Sequence, residues 1–165
     1  MATQVKSAVK VADEVWIATA LLHIEHPRRE DFEIGEIVER ARKEGLTKQL
    51  RPGVYVHALQ HCVANRAPNP GRYRMLVETG PGRRRLFRQG DAFHPARDGG
   101  KTMPDKHDIP PEYERLLDWY RTKYSARGVE NLEQDSILEL RGIGKGLWAD
   151  EDPDAYVRRL RGGWE

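Results

Sequence analysis

The stretch that decides the fold is Arg72-Tyr-Arg-Met-Leu-Val-Glu78, followed by Gly80-Pro-Gly82 and then Arg83-Arg-Arg-Leu-Phe-Arg88. Residues 72–78 follow an alternating strand pattern, and with the second short run beyond a Gly-Pro-Gly tip they read as two short strands joined in a hairpin. Three helical patterns precede it. Over residues 12–25, Val15, Trp16, Ala18, Ala20, Leu21, Leu22 and Ile24 fit an amphipathic helix, and His26-Pro27 stops it. Phe32 then leads into Ile34, Ile37, Val38 and Ala41, at helical spacing, with Glu36, Glu39 and Arg40 opposite and Gly45 in the closing position. Pro52 suits the first turn of a third helix. In it Val54, Tyr55, Ala58, Leu59, Cys62 and Val63 form the expected buried stripe, and His57, Gln60, His61 and Asn65 the open face. Three helices followed by a basic hairpin predict a mainly α chain with a small β-hairpin, laid out as a winged helix-turn-helix over residues 10–96.

Downstream, prolines and glycines make residues 93–111 a loop. A fourth helix is expected over 111–124, with Tyr113, Leu116, Leu117 and Tyr120 on one face and Trp119 beside it. It would pack on the winged domain or pair with another copy of the chain. The region 97–134 is therefore read as loop, helix and linker, and 135–165 as an extended tail that orders on a partner.

Composition narrows the classes. The chain has 165 residues, 33% of them charged, and a mean hydropathy of −0.77. Its longest apolar run, residues 15–22, is far short of the roughly 20 residues a membrane span needs. The first ten residues show no signal-peptide pattern. The single cysteine, Cys62, excludes an internal disulfide and a multi-cysteine metal site, and a reducing cytoplasm is the expected location. The net charge of +2 conceals an asymmetry. Residues 47–101 carry eleven Lys or Arg against three acids, whereas 129–165 carry nine acids against five bases. A basic centre and an acidic tail predict two different partners.

The basic centre reads as a double-stranded DNA surface. His57, Gln60, His61 and Asn65 would face the major groove, where Gln and Asn suit bidentate contact with adenine. Arg66 stands at the end of that helix, and Arg83, Arg84 and Arg85 would touch the phosphate backbone from the wing. Signals of catalysis are weak. His57 and His61 are four apart and could share a zinc ion, but no third ligand accompanies them. Gly142-Ile-Gly-Lys-Gly146 lacks the spacing and the Ser/Thr of a phosphate loop. Asp150, Glu151, Asp152 and Asp154 open a short helix, with Asp152 as N-cap and Pro153 at N1. No nucleophile, base and orienting group assemble, so neither enzyme activity, nor a cofactor, nor a metal is expected.

The tail carries a resemblance. Gly144-Lys-Gly-Leu-Trp148, Asp150-Glu-Asp-Pro-Asp-Ala-Tyr-Val157 and Arg158-Arg-Leu-Arg161 with Trp164 resemble the toxin-neutralising segment of VapB-type antitoxins. The likeness covers residues 138–164. In that family the segment wraps a PIN-domain ribonuclease, places a basic side chain in its acidic metal-binding site and fills a surface groove with Trp and Leu. The resemblance thus implies toxin contacts by Leu147, Trp148, Tyr156, Val157, Arg158, Arg159, Leu160, Arg161 and Trp164. A guanidinium entering a ring of carboxylates forms charge-assisted bonds and competes with a metal, which suits the arginines. Such antitoxins ordinarily open with a much smaller DNA-binding domain, so homo-oligomeric form and operator geometry do not carry over. Two alternatives stand beside this reading: a stand-alone winged-helix transcriptional regulator whose tail folds back with Trp148 in its core, and a winged-helix adaptor that binds no DNA.

Overall fold

The computed structural model describes residues 9–69 and 71–126; the segment 135–165, with every residue assigned to toxin contact, lies outside them. The first helix forms as α1 (Val11–Glu25). It is buried on all sides between Ala12 and His23, not along one stripe. Val15, Trp16, Ile17, Ala18, Ala20, Leu21 and Leu22 give it apolar residues on every side, and the polar Asp13, Glu14, Thr19 and His23 are buried with them, as befits a helix in the core. Thr19, also buried, returns its hydroxyl to Val15 O at 2.8 Å. The N–H of His26 closes the helix onto Leu22 O.

Strand β1 (Phe32–Glu33) leads directly into α2 (Ile34–Glu44). Glu36 caps the entry by accepting Glu33 N–H at 2.8 Å, and the Arg29 fork holds the same carboxylate at 2.7 and 2.8 Å. Gly45 ends α2 at φ 66°, the left-handed conformation that glycine adopts without strain. Helix α3 (Gly53–Val56) continues without a break into a π-turn, His57–His61, closed by Cys62 N–H on His57 O.

The hairpin is where the sequence puts it, though shorter. Strands β2 (Leu76–Gly80) and β3 (Arg83–Leu86) pair antiparallel around Pro81 and Gly82, the latter at φ 69°. Phe32 and Glu33 pair with Arg84 and Arg83, so the three-stranded antiparallel sheet runs β1-β3-β2. Met75 O still accepts the Phe87 N–H at 2.9 Å, but residues 72–74 lie outside the ladder, and Arg74 N–H bonds Lys101 O at 2.8 Å. The molecule is thus helical with a small antiparallel sheet.

Residues beyond 96 belong to the same core. Ile109, Tyr113, Leu116, Leu117, Tyr120 and Tyr124 cluster with Trp16, Phe32 and Leu86. Short 3-10 turns carry the loop to α4 (Glu114–Trp119), which passes into a second π-turn at Tyr120–Tyr124. The Tyr120 hydroxyl bonds Phe87 O, and Tyr124 bonds Leu86 O at 2.8 Å. Of the two options for this helix, packing on the body is the one observed, and the boundary expected at residue 96 falls inside a single core. Among the described residues no helix is long and apolar enough to cross a membrane.

His23 is the polar joint of this core. Its Nε2 accepts the Leu86 N–H at 3.2 Å, and its ring meets Phe32 edge-on at 4.9 Å. Burial, helped by Arg88 and Arg85, pushes its pKa down to about 3, so the ring is neutral.

Candidate nucleic-acid interface

Helix α3 meets the core through Val54 and Ala58, with Cys62 and Val63 continuing the contact. The stripe is narrower than expected: Tyr55, assigned to it from the sequence, is 51% exposed, and its neighbour Val56 is 40% exposed. Only one residue per turn reaches the core, because nothing packs over the outer flank of this short helix. His57, Gln60 and His61 are half-buried. His57 Nδ1 donates to Gly53 O at 2.8 Å, and the two imidazoles meet edge-to-face at 4.8 Å. Burial keeps the His57 pKa below its ordinary value. No group of three metal-ligating side chains occurs among the described residues.

Asn65 is exposed but occupied. Its amide donates to Glu78 O at 3.0 Å and accepts Glu78 N–H at 2.9 Å, so it stands in for a neighbouring strand. Reading an adenine edge would require it to release β2, contrary to the role expected from its place beside α3.

The arginines divide sharply. Arg84 is fully buried, which corrects its assignment as a phosphate contact. Its Nε and Nη2 donate to Ala58 O and Leu59 O at 3.1 and 3.2 Å, and Nη1 to Arg83 O at 2.7 Å. Arg97, equally buried, donates to Gln60 O and His61 O at 2.9 Å, and to Tyr73 O and Arg66 O at 2.6 Å. Two guanidinium groups therefore donate to four consecutive carbonyls, 58 to 61, where the helix ends; Gln60 O also accepts the Val63 N–H at 3.1 Å. Burial lowers both arginine pKa values from the ordinary one. Arg85 is also withdrawn: it holds Asp91 with a two-pronged contact at 2.7 and 2.8 Å.

Arg66 and Arg83 remain at the surface, 41% and 37% exposed. Arg66 pairs with Glu78, and Arg83 with Asp31 at 2.6 Å. The hydrogen bond from Arg83, then that from Thr79, hold the Asp31 pKa below its ordinary value. Lys48, in the turn before α3, and Arg72, in the loop after it, are exposed and have no ion-pair partner among the described residues. Sequence reasoning counted both in the basic block without assigning them to a site. It placed Tyr55 in the core, since an apolar residue at helical spacing reads as buried, and it gave Val56 no role.

A comparison with known families finds no matching family model, and neither a curated protein nor a solved structure matches the chain.

Proposed function

We propose that this chain is an antitoxin: a winged-helix body that binds operator DNA, joined to a C-terminal segment that neutralises a PIN-domain ribonuclease. The observation that carries the DNA half is the element order α1-β1-α2-α3-β2-β3 with sheet order β1-β3-β2. That order is compatible with a winged-helix plan, in which the third helix and the hairpin would present one nucleic-acid face. The tail motif, from Leu138 to Trp164, supports the toxin half by resemblance. The contact set is smaller than the sequence suggests: Lys48, Arg66, Arg72 and Arg83 for phosphates, with Tyr55, Gln60 and the half-buried His57 and His61 toward the groove. Glu78 and Asp31 yield Arg66 and Arg83 readily, because surface ion pairs are worth only about 0–1 kcal/mol.

Duplex affinity of the full chain, measured against salt, tests the first half. Four phosphate contacts predict a slope of log K on log salt near about −3.6. Co-expression with a PIN-domain protein encoded beside it tests the second: a stable complex, abolished by Trp148→Ala or Arg159→Ala, is expected. Absence of any complex would leave a stand-alone regulator. A second reading, the protein-docking adaptor, draws on the exposed Tyr55–Val56 pair and on the withdrawal of Arg84 and Arg85. It predicts no salt-dependent affinity for duplex.

A further inference from the structure

A cavity of about 610 Å³ opens between the exit of β3, the segment 99–103 and the end of α4, away from the α3 face. Its size lies within the usual range for small-molecule sites, and its walls combine an aromatic side with polar and charged groups. Phe87, Phe93, Met103 and Tyr120 line it, and Arg74 supplies the charge.

Arg74 is held ready for a ligand. Its Nε donates to Gly100 O at 3.0 Å, and its guanidinium lies 4.4 Å over the Phe93 ring. Phe93 is in turn fixed edge-on against Phe87 at 6.3 Å. The segment that supplies the Gly100 carbonyl comes so close that a Cβ at this position would lie 1.8 Å from Arg72 O, so only glycine permits it. Among the described residues the two terminal nitrogens of Arg74 have neither a hydrogen bond nor a carboxylate partner. The nearest acid in the wall, Asp91, is already taken by Arg85 and by Arg88 N–H.

We infer that this cavity binds an aromatic carboxylate, its ring against the wall of Phe87, Phe93 and Tyr120 and its carboxylate on the free terminal nitrogens of Arg74. The edge formed by the two terminal nitrogens is open and matches a carboxylate bidentately. Arg121, at the rim and 3.8 Å from Asp118, adds long-range attraction only.

Calorimetric titration of the full chain with indole-3-carboxylate, and with indole-3-carboxamide as its neutral twin, tests this. The acid binds one-to-one with a Kd at or below about 1 mM, and the amide binds at least about tenfold more weakly. Arg74→Met lowers affinity for the acid at least about tenfold while its thermal midpoint shows a folded protein. Thr102→Trp, which fills the cavity and leaves Arg74 intact, removes binding of both probes. If Arg74→Met does not fold, the acid–amide difference in the unaltered chain and the Thr102→Trp variant decide. No saturable heat from the acid up to about 5 mM, equal affinities for acid and amide, or full binding by Thr102→Trp overturns the assignment.

Discussion

Arg84 and Arg97 stand on the inner side of the junction between α3 and the hairpin; Arg66 and Arg83 stand on its outer edge. All four come from one basic stretch and look alike in the sequence. The inner pair is withdrawn from water and satisfies the last carbonyls of a helix. The outer pair holds exchangeable carboxylates at the surface. Charge counted along a chain is therefore not charge presented to a partner. Of the eleven Lys and Arg in residues 47–101, some build the scaffold, and only the rest are left to make a field.

The largest test of this contrast is Arg97→Met. It removes a buried guanidinium that donates to five carbonyls, and of these, among the described residues, only Gln60 O keeps a backbone donor, the Val63 N–H, while Ala67 is exposed to water. A loss of about 4 kcal/mol in unfolding free energy is expected, read from the urea midpoint. Arg97→Lys recovers little of it, since a point charge cannot reproduce the planar fork. A loss below about 1 kcal/mol would place Arg97 with the exchangeable surface arginines and dissolve the distinction.

Two further buried groups sharpen it through pH. His23, at about 3, lies below its ordinary 6.5, so the folded state binds fewer protons than the unfolded state between those values. Acidification across that range destabilises the fold. Asp13 is displaced the other way, to about 6 from 3.8, chiefly by burial and then by Asp108, and across its range acidification stabilises. Between about pH 6 and 5 the two slopes oppose each other, and the unaltered chain should change little in stability. Asp13→Asn unmasks His23 and should lose about 1.4 kcal/mol over that unit, measured by urea unfolding at each pH. A flat profile in the variant would mean that His23 is reached by water.

The legible part of the fold was the part written as periodicity. The three helices and the Gly-Pro-Gly turn follow from local pattern, and they appear where the pattern puts them. Strand β1 is two residues long, too short for alternation to mark it, and it exists only because β3 has an open side. The fourth helix was legible too, with packing on the body as one of two options. What the pattern did not mark is the stretch before it, where 3-10 turns between prolines carry no period, although Ile109 is a core residue. At the candidate site the limits were of another kind. An arginine's sequence neighbours do not reveal whether its partner is a phosphate or a helix-terminal carbonyl, and Arg84 differs from Arg83 only in facing the other side of its strand. Asn65 misled for the same reason, since an amide that can read adenine can equally complete a strand.

The smallest effect on stability, and the most informative for function, comes from the outer pair. Arg66→Ala with Arg83→Ala breaks only surface ion pairs, so unfolding free energy should fall by less than about 1 kcal/mol. If the α3–hairpin face meets DNA, the same double variant flattens the salt dependence of duplex binding by about two, one for each phosphate that is no longer neutralised. Arg84 cannot serve in that experiment, because its removal disturbs the helix end and confuses folding with binding. An unchanged slope in a folded double variant would remove the hairpin edge from the DNA surface. It would leave Tyr55 and Val56 as the principal feature of this face, and the surface would then suit an apolar protein partner better than a phosphate backbone.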